Sequence, residues 1–227
     1  MIKLMIFDND MTLTNSSHAI VENFNLVADD VGKPHVTHEQ VMSCIALPLN
    51  GLSETLLGEY HPEWRAIYLE KAAIVEPKML RPFPDTVPAL SKLRDMGIKL
   101  AVASNREDPT PSLRWMGIDG YFDAAAGGCG ITVVKENRSL GRPLPYKPDP
   151  AMLTALADYL GVKPEHTAYV GDACIDIETA CAANMRGIGI TRCGITAETF
   201  FELGAWRVID SLEELPDIAV KDSEASK

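Results

Sequence analysis

The chain has 227 residues, enough for one large domain or a domain with a small insert. Hydrophobic residues make up 46%, as in an ordinary soluble globular protein. The 32 acidic residues against 21 basic ones leave a net charge of −11, which excludes the basic face that non-specific nucleic-acid binding needs. An anionic substrate stays compatible, because a bound Mg²⁺ and a few basic residues reverse the field locally.

The cysteines, Cys44, Cys129, Cys174, Cys181 and Cys193, are scattered, odd in number and without metal-site spacing. They read as reduced thiols of a cytoplasmic protein. An apolar N-terminal run broken by Asp8 is not a signal peptide, and no stretch reaches membrane-spanning length.

The first predicted strand, Lys3–Phe7, ends in Asp8-Asn9-Asp10-Met11-Thr12. Two carboxylates one residue apart leave the strand close together and repel, which raises at least one pKa unless a cation lies between them. They bind a divalent metal, hold a proton for chemistry, or cap a following helix as an Asx turn. Residues 15 to 81 then carry no strand-like run but recurring helical periodicity, at Ala19–Val31, His38–Ile45, Leu52–Leu57 and Pro62–Val75. Gly32-Lys33-Pro34, Pro48 and Pro62 punctuate them. This pattern predicts a small helical insert, residues 15–81, between core segments 1–14 and 82–227. Arg81-Pro82-Phe83-Pro84 is the return hinge.

Beyond the hinge short apolar runs alternate with helical ones. Strands are predicted at Leu100–Ala103, Phe122–Ala126, Thr167–Val170, Gly187–Ile190 and Arg207–Ile209. Helices are predicted at Asp85–Met96, Pro109–Trp115, Asp149–Leu160, Ile175–Ala183 and Ala197–Leu203. The alternation implies an α/β fold, a parallel sheet with helices on both faces. Gly127-Gly128-Cys129-Gly130 reads as a loop, and Pro216–Lys227 as a disordered tail. Active sites of such sheets lie at the C-terminal strand ends, which puts the insert above Asp8 as a lid.

Three further signals fall at that edge. Ser104-Asn105 follows a strand and offers a hydroxyl, an amide and backbone N–H groups to a phosphate, or else a helix cap. Lys147-Pro148 precedes a proline-opened helix, where a rigidly held lysine can pair with a carboxylate and neutralise a phosphoryl group. Gly171-Asp172 ends a strand, with Asp176 one helical turn on; this suits a metal or ordinary N-terminal capping.

The order Asp8-x-Asp10-x-Thr12, Ser104-Asn105, Lys147-Pro148 and Gly171-Asp172-x-x-x-Asp176 resembles the haloacid dehalogenase-like hydrolase superfamily over nearly the whole chain. The insert resembles its type 1 helical cap, on a Rossmann-like core. Ile45-Ala46-Leu47-Pro48-Leu49 and Arg81-Pro82-Phe83-Pro84-Asp85-Thr86-Val87 resemble segments of the phosphoglycolate phosphatase-like group. Met11, Ala46 and Asp85 stand where that group has glycine, and Arg106 where many members have lysine.

The resemblance implies a Mg²⁺-dependent phosphatase acting on a small phosphorylated metabolite, phosphoglycolate-like, as a monomer or homodimer, with no nucleic-acid or membrane partner. Asp8 would be the nucleophile and Asp10 the acid/base, positioned by Thr12. Ser104, Asn105 and Lys147 would hold the phosphoryl oxygens. Mg²⁺ would bind Asp8, the Asp10 backbone carbonyl and Asp172, with Asp176 in support. Asn50 and Arg65 are cap candidates for contact with the leaving group. A sugar-phosphate mutase of the β-phosphoglucomutase kind shares these motifs, and a non-catalytic phosphoryl-binding module is a further alternative. A dehalogenase does not need Asp10, a phosphonatase needs a cap lysine that Lys33, Lys71 and Lys78 do not obviously supply, and a signalling receiver lacks the cap.

Overall fold

The protein, a computed structural model described over residues 1–224, is built on one eight-stranded sheet. The strands are β1 (Leu4–Phe7), β2 (Lys99–Ala103), β3 (Ala124–Gly127), β4 (Gly130–Val133), β5 (Arg138–Ser139), β6 (Thr167–Gly171), β7 (Arg186–Ile190) and β8 (Arg207–Ile209). Their order is β5-β4-β3-β2-β1-β6-β7-β8. The run from β3 to β8 is parallel, with Ile6 of β1 opposite Ala101 of β2 and Tyr169 of β6. The chain starts in the centre and extends first to one side, then to the other. The crevice where that direction reverses lies beyond the carboxyl ends of β1 and its neighbours, the place where open α/β sheets bind ligands.

Central strands are buried on both faces, so they are apolar without alternation in polarity. All four residues of β1 are fully buried, each contributing about 1.5–3 kcal/mol of transfer free energy. Met5, Phe7, Leu100, Val102 and Val170 face one core with α5 (Thr86–Asp95) and α6 (Thr110–Trp115). Leu4, Ile6, Ala101, Ala103 and Tyr169 face the other with α7 (Ala151–Leu160) and α8 (Cys174–Ala182).

Four helices lie between β1 and α5: α1 (Ser17–Val31), α2 (His38–Cys44), α3 (Leu49–Leu57) and α4 (Pro62–Met79). They bury an apolar cluster of their own, including Ile20, Phe24, Val41, Leu52 and Trp64. Thr37 opens α2 with a reciprocal capping box to Gln40, and Gly32 closes α1 in the left-handed conformation.

Two predictions fail. The glycine-rich segment after β3 is not merely a loop: Gly128-Cys129 is the two-residue turn of a hairpin, and β4 and β5 add an antiparallel edge. The expected disordered tail is helical over its described part. After α9 (Ala197–Glu202), α10 (Leu215–Glu224) docks Leu215 and Ala219 into the core, and Asp222 pairs with Arg186 at 2.9 Å. The rest of that tail, residues 225–227, lies outside the described residues.

Candidate active site

Asp8 leaves β1 with its N–H on the Val170 carbonyl at 2.8 Å, and the chain then turns tightly, Leu13 N–H donating to the Asn9 carbonyl at 3.0 Å. Met11, at the position where the resembling family has glycine, adopts φ +61°. The left-handed conformation is thus kept by a residue that pays about 1–2 kcal/mol for it. Its side chain is buried and its N–H donates to the Thr14 carbonyl at 2.7 Å. The turn carries the buried Thr12 hydroxyl to Asp172 Oδ1 at 2.7 Å, so Thr12 positions Asp172 rather than Asp10.

Asp8, Asp172 and Asp176 bring carboxylate oxygens within 4.8 Å of one another. Lys147 reaches them from the loop before α7. Its Nζ donates to Asp8 Oδ1 at 2.7 Å, to Asp176 Oδ1 at 2.7 Å and to the Tyr169 hydroxyl at 3.1 Å. An ammonium has three protons, so all three are spent here. The other oxygen of Asp176 accepts the Ala173 N–H at 3.0 Å. Asp176 thus has both oxygens engaged and holds the lysine, while Asp8 and Asp172 each keep an oxygen free of these contacts. Gly171 makes this possible: a Cβ there would collide with the Asp176 carboxylate. Helix α7 begins at Ala151, after Pro150, a little beyond the expected Asp149.

The charges are unbalanced. Burial pushes Asp8 well above the usual carboxylate range; Lys147 opposes this, and Asp176, Asp172 and Asp10 reinforce it. Burial and the charge of Asp176 raise Asp172 to about 6, against the Thr12 hydrogen bond. Three buried carboxylates around one ammonium are short of positive charge. Their all-oxygen donor set suits a hard divalent cation such as Mg²⁺.

Asp10 stands outside this trio. Arg106 takes both its oxygens, Nε to Oδ2 and Nη2 to Oδ1, each at 2.8 Å. The opposite edge of the same guanidinium donates to Glu76 of α4, at 2.8 and 3.1 Å, and Glu76 also accepts from Asn23 of α1 at 3.4 Å. Burial raises Asp10, but the charge and hydrogen bonds of Arg106 outweigh it and leave the carboxyl below its ordinary range. The more deeply buried Glu76 stays above its ordinary range despite the same arginine.

Ser104 is buried, with its hydroxyl accepting the Arg106 N–H at 3.2 Å. The Asn105 amide spans two elements, accepting the Lys147 N–H at 2.8 Å and donating to the Ala46 carbonyl at 2.9 Å. Arg65 forms a two-pronged ion pair with Glu107, and Asn50 is exposed and does not line the cavity. That cavity, about 270 Å³, runs from Asp8, Lys147 and Asp172 to the faces of α3 and α4, with Ser104, Asn105 and Asp10 in its wall. The fold thus brings Asp8, Asp10, Ser104, Asn105, Lys147 and Asp172, scattered along the chain, to the wall of one cavity.

The family model for haloacid dehalogenase-like hydrolases matches residues 5–190. The chain belongs to that family. This hydrolase is 26% identical over 225 residues to the phosphoglycolate phosphatase of Aquifex aeolicus, covering 96% of the chain and 92% of the relative. Its structure is similar to that of a haloacid dehalogenase-like hydrolase from Bacteroides fragilis, with 29% identity, TM-score 0.79 and coverage of 95% and 100% of the two chains. The fold also matches a structure described as a β-phosphoglucomutase from Thermotoga maritima, at 23% identity and TM-score 0.68, covering 97% and 99%. Among the described residues no helix is long and apolar enough to cross a membrane.

Three contributors to the hydrolase's site escape sequence reasoning: Tyr169, Glu76 and Arg192. Tyr169 is a phenol two residues before Gly171, hence on the same face of β6, which is a readable signal. Glu76 lies in a helix where any acid passes as solvated. Arg192 pairs with Asp85 and donates to the Thr12 carbonyl at 2.5 Å, bracing the loop after β1 from β7's end. Asp85 also accepts the Leu212 N–H at 2.9 Å and the Ser211 hydroxyl at 3.0 Å, which explains an acid where the resembling group has glycine.

Proposed function

We propose that this hydrolase is a Mg²⁺-dependent phosphatase that cleaves a small organic phosphate monoester through an aspartyl-phosphate on Asp8. The observation that carries the reading is the buried contact of Asp8 with Lys147, itself locked by Asp176 and Tyr169, at the floor of the cavity. Asp8 and Asp172, with the Asp10 backbone carbonyl, would hold the cation. When bound it supplies the positive charge that the trio lacks.

An Asp8 oxygen attacks phosphorus, the bond from phosphorus to the alcohol oxygen breaks, and that oxygen takes a proton from Asp10. Water then attacks the aspartyl-phosphate and Asp10 takes its proton. The Asp8–phosphorus bond breaks, releasing inorganic phosphate. Arg106 keeps Asp10 in the form that accepts a proton; donating one requires that grip to loosen. Ser104 and the backbone around Asn105 hold the phosphoryl oxygens, and Lys147 sets its positive charge beside them. Residues 15–81 act as the cap, excluding bulk water. Five free cysteines suit a cytoplasmic setting.

The test is phosphate release from a panel of phosphoglycolate, sugar phosphates, nucleotides and pyrophosphate with Mg²⁺, for wild type and Asp8→Asn. Release that needs Mg²⁺ and Asp8 is expected. Full activity in excess chelator would remove the metal from the reading. Isomer formation from glucose 1-phosphate without phosphate release would make the enzyme a mutase.

A further inference from the structure

We propose that the alcohol released by this enzyme is uncharged and apolar, a short or branched alkyl group or a single ring, rather than a carboxylate-bearing or polyhydroxylated one. This narrows the phosphatase reading and rests on it. The cavity has two chemically distinct ends. At one end stand Asp8, Lys147 and Asp172. At the other the cap presents Ile45, Leu49 and Leu52, with Leu69 at the rim and Trp115 of α6 opposite. Leu69 is 42% exposed, the way an apolar mouth open to solvent would leave it.

The charges of the lining decide against a carboxylate. Its cations are Arg106 and Lys147, and both are committed: Arg106 to Asp10 and Glu76, Lys147 to Asp8 and Asp176. The remaining ionic groups of the wall are acids. A second anion entering with the phosphoryl group would be desolvated beside Glu76 and Glu107 without a counter-ion.

The hydrogen-bonding capacity decides against a sugar. Glu76 is used by Arg106 and Asn23, Glu107 by Arg65, and the Asn105 amide by Ala46 and Lys147. Asp108 accepts from the Thr110 N–H at 2.8 Å and from its hydroxyl at 2.5 Å, and the Ser112 hydroxyl donates to the Pro109 carbonyl at 2.7 Å. Of the cap's polar side chains only Tyr68 and Glu76 reach the wall, too few for four or five sugar hydroxyls. The space, about 270 Å³, lies just below the range of drug-sized ligand pockets, so the alcohol is small. An apolar alcohol gains from every wall atom it touches and leaves no polar group unpaired.

The experiment compares kcat/KM of the Mg²⁺-loaded enzyme for isoamyl phosphate and benzyl phosphate with that for phosphoglycolate and glucose 6-phosphate. At least a tenfold preference for the apolar pair is expected. Leu69→Lys, which puts a cation at the mouth, should lower the isoamyl phosphate to phosphoglycolate ratio at least tenfold. Equal or better turnover of phosphoglycolate would overturn the proposal and leave the phosphatase reading intact. If none of these esters, nor acetyl phosphate, released phosphate, the phosphatase reading would fall. Calorimetry with pentylphosphonate and 3-phosphonopropionate then still decides, tighter binding of the alkyl compound supporting the proposal and tighter binding of the carboxylate-bearing one overturning it.

Discussion

Arg106 grips Asp10 on one edge of its guanidinium and Glu76 on the other, so a carboxylate of the loop after β1 and a buried carboxylate of α4 share one cation. The arrangement couples the state of Asp10 to the position of α4. Removing the arginine leaves Glu76, which has no exposed surface, with only Asn23. Arg106→Leu should therefore cost about 3–5 kcal/mol in urea denaturation. Adding Glu76→Gln should recover at least half of that loss, since the stranded charge is then gone. A double variant as unstable as the single one would show that packing, not charge, sets the cost.

The two aspartates of the first loop should separate by chemistry. Asp8→Asn should abolish turnover and form no covalent adduct, because an amide is not a competent nucleophile at phosphorus. Asp10→Asn should slow turnover by about 10²–10⁴-fold, the usual worth of general acid/base help. With a good leaving group such as p-nitrophenolate it should accumulate phosphorylated Asp8, visible as a mass increase on that peptide. Beryllofluoride, an acyl-phosphate mimic, should bind wild type but not Asp8→Asn.

Gly171→Ala tests the Lys147 anchor. The new methyl collides with the Asp176 carboxylate, which must swing and release Lys147. Misplacing a group by about 1 Å costs up to about 10²-fold in rate, and overpacking costs about 1–3 kcal/mol. We expect kcat to fall by roughly that factor while the protein stays folded by circular dichroism. Unchanged kcat would mean that Asp176 does not set the position of Lys147.

In chelator, Asp172 should make stability depend on pH in a definite sense. Its folded-state pKa is raised from 3.8 to about 6, chiefly by burial. Between those values the folded state binds more protons than the unfolded one, so stability is gained as pH falls and lost as it rises through about 6. Asp172→Asn removes the charge. In EDTA it should melt above wild type at pH 7.5, and the gap should close toward pH 4. A gap that does not vary with pH would show that Asp172 carries no penalty.

The loop that Arg192 braces should depend on Asp85. Asp85→Gly, which restores the residue of the resembling group, strands Arg192 and frees the Leu212 N–H. A loss of about 1–3 kcal/mol is expected by urea denaturation.

Sequence patterning was most legible where burial is two-sided. β1, β6 and β7 lie within a residue of their expected bounds, because a short apolar run between polar flanks has few other uses. The hairpin of β4 failed because its glycines resemble a loop, although Ile131-Thr132-Val133 after a glycine pair is a strand signal. The helix α10 failed because its overall polarity hides Leu215, Ile218 and Ala219, which recur at helical spacing. In the site, residue types and order located Asp8, Lys147 and Asp172 together. Partners did not follow from order: that Thr12 serves Asp172, and that Arg106 serves Asp10 and Glu76, depends on where distant segments cross.

The two borders of the sheet bear on how copies of this enzyme can meet. Border strands are templates on which foreign backbone can add, and short, charged ones blunt that tendency. Here β5 has two residues, both exposed and one of them Arg138, and β8 has three, beginning with the exposed Arg207, which folds over the Trp206 ring at 4.6 Å. Neither offers a run long enough for cross-chain ladder growth. Self-association through extended backbone is thus guarded against at both ends, and any stable contact between copies must be made by helical or cap surfaces.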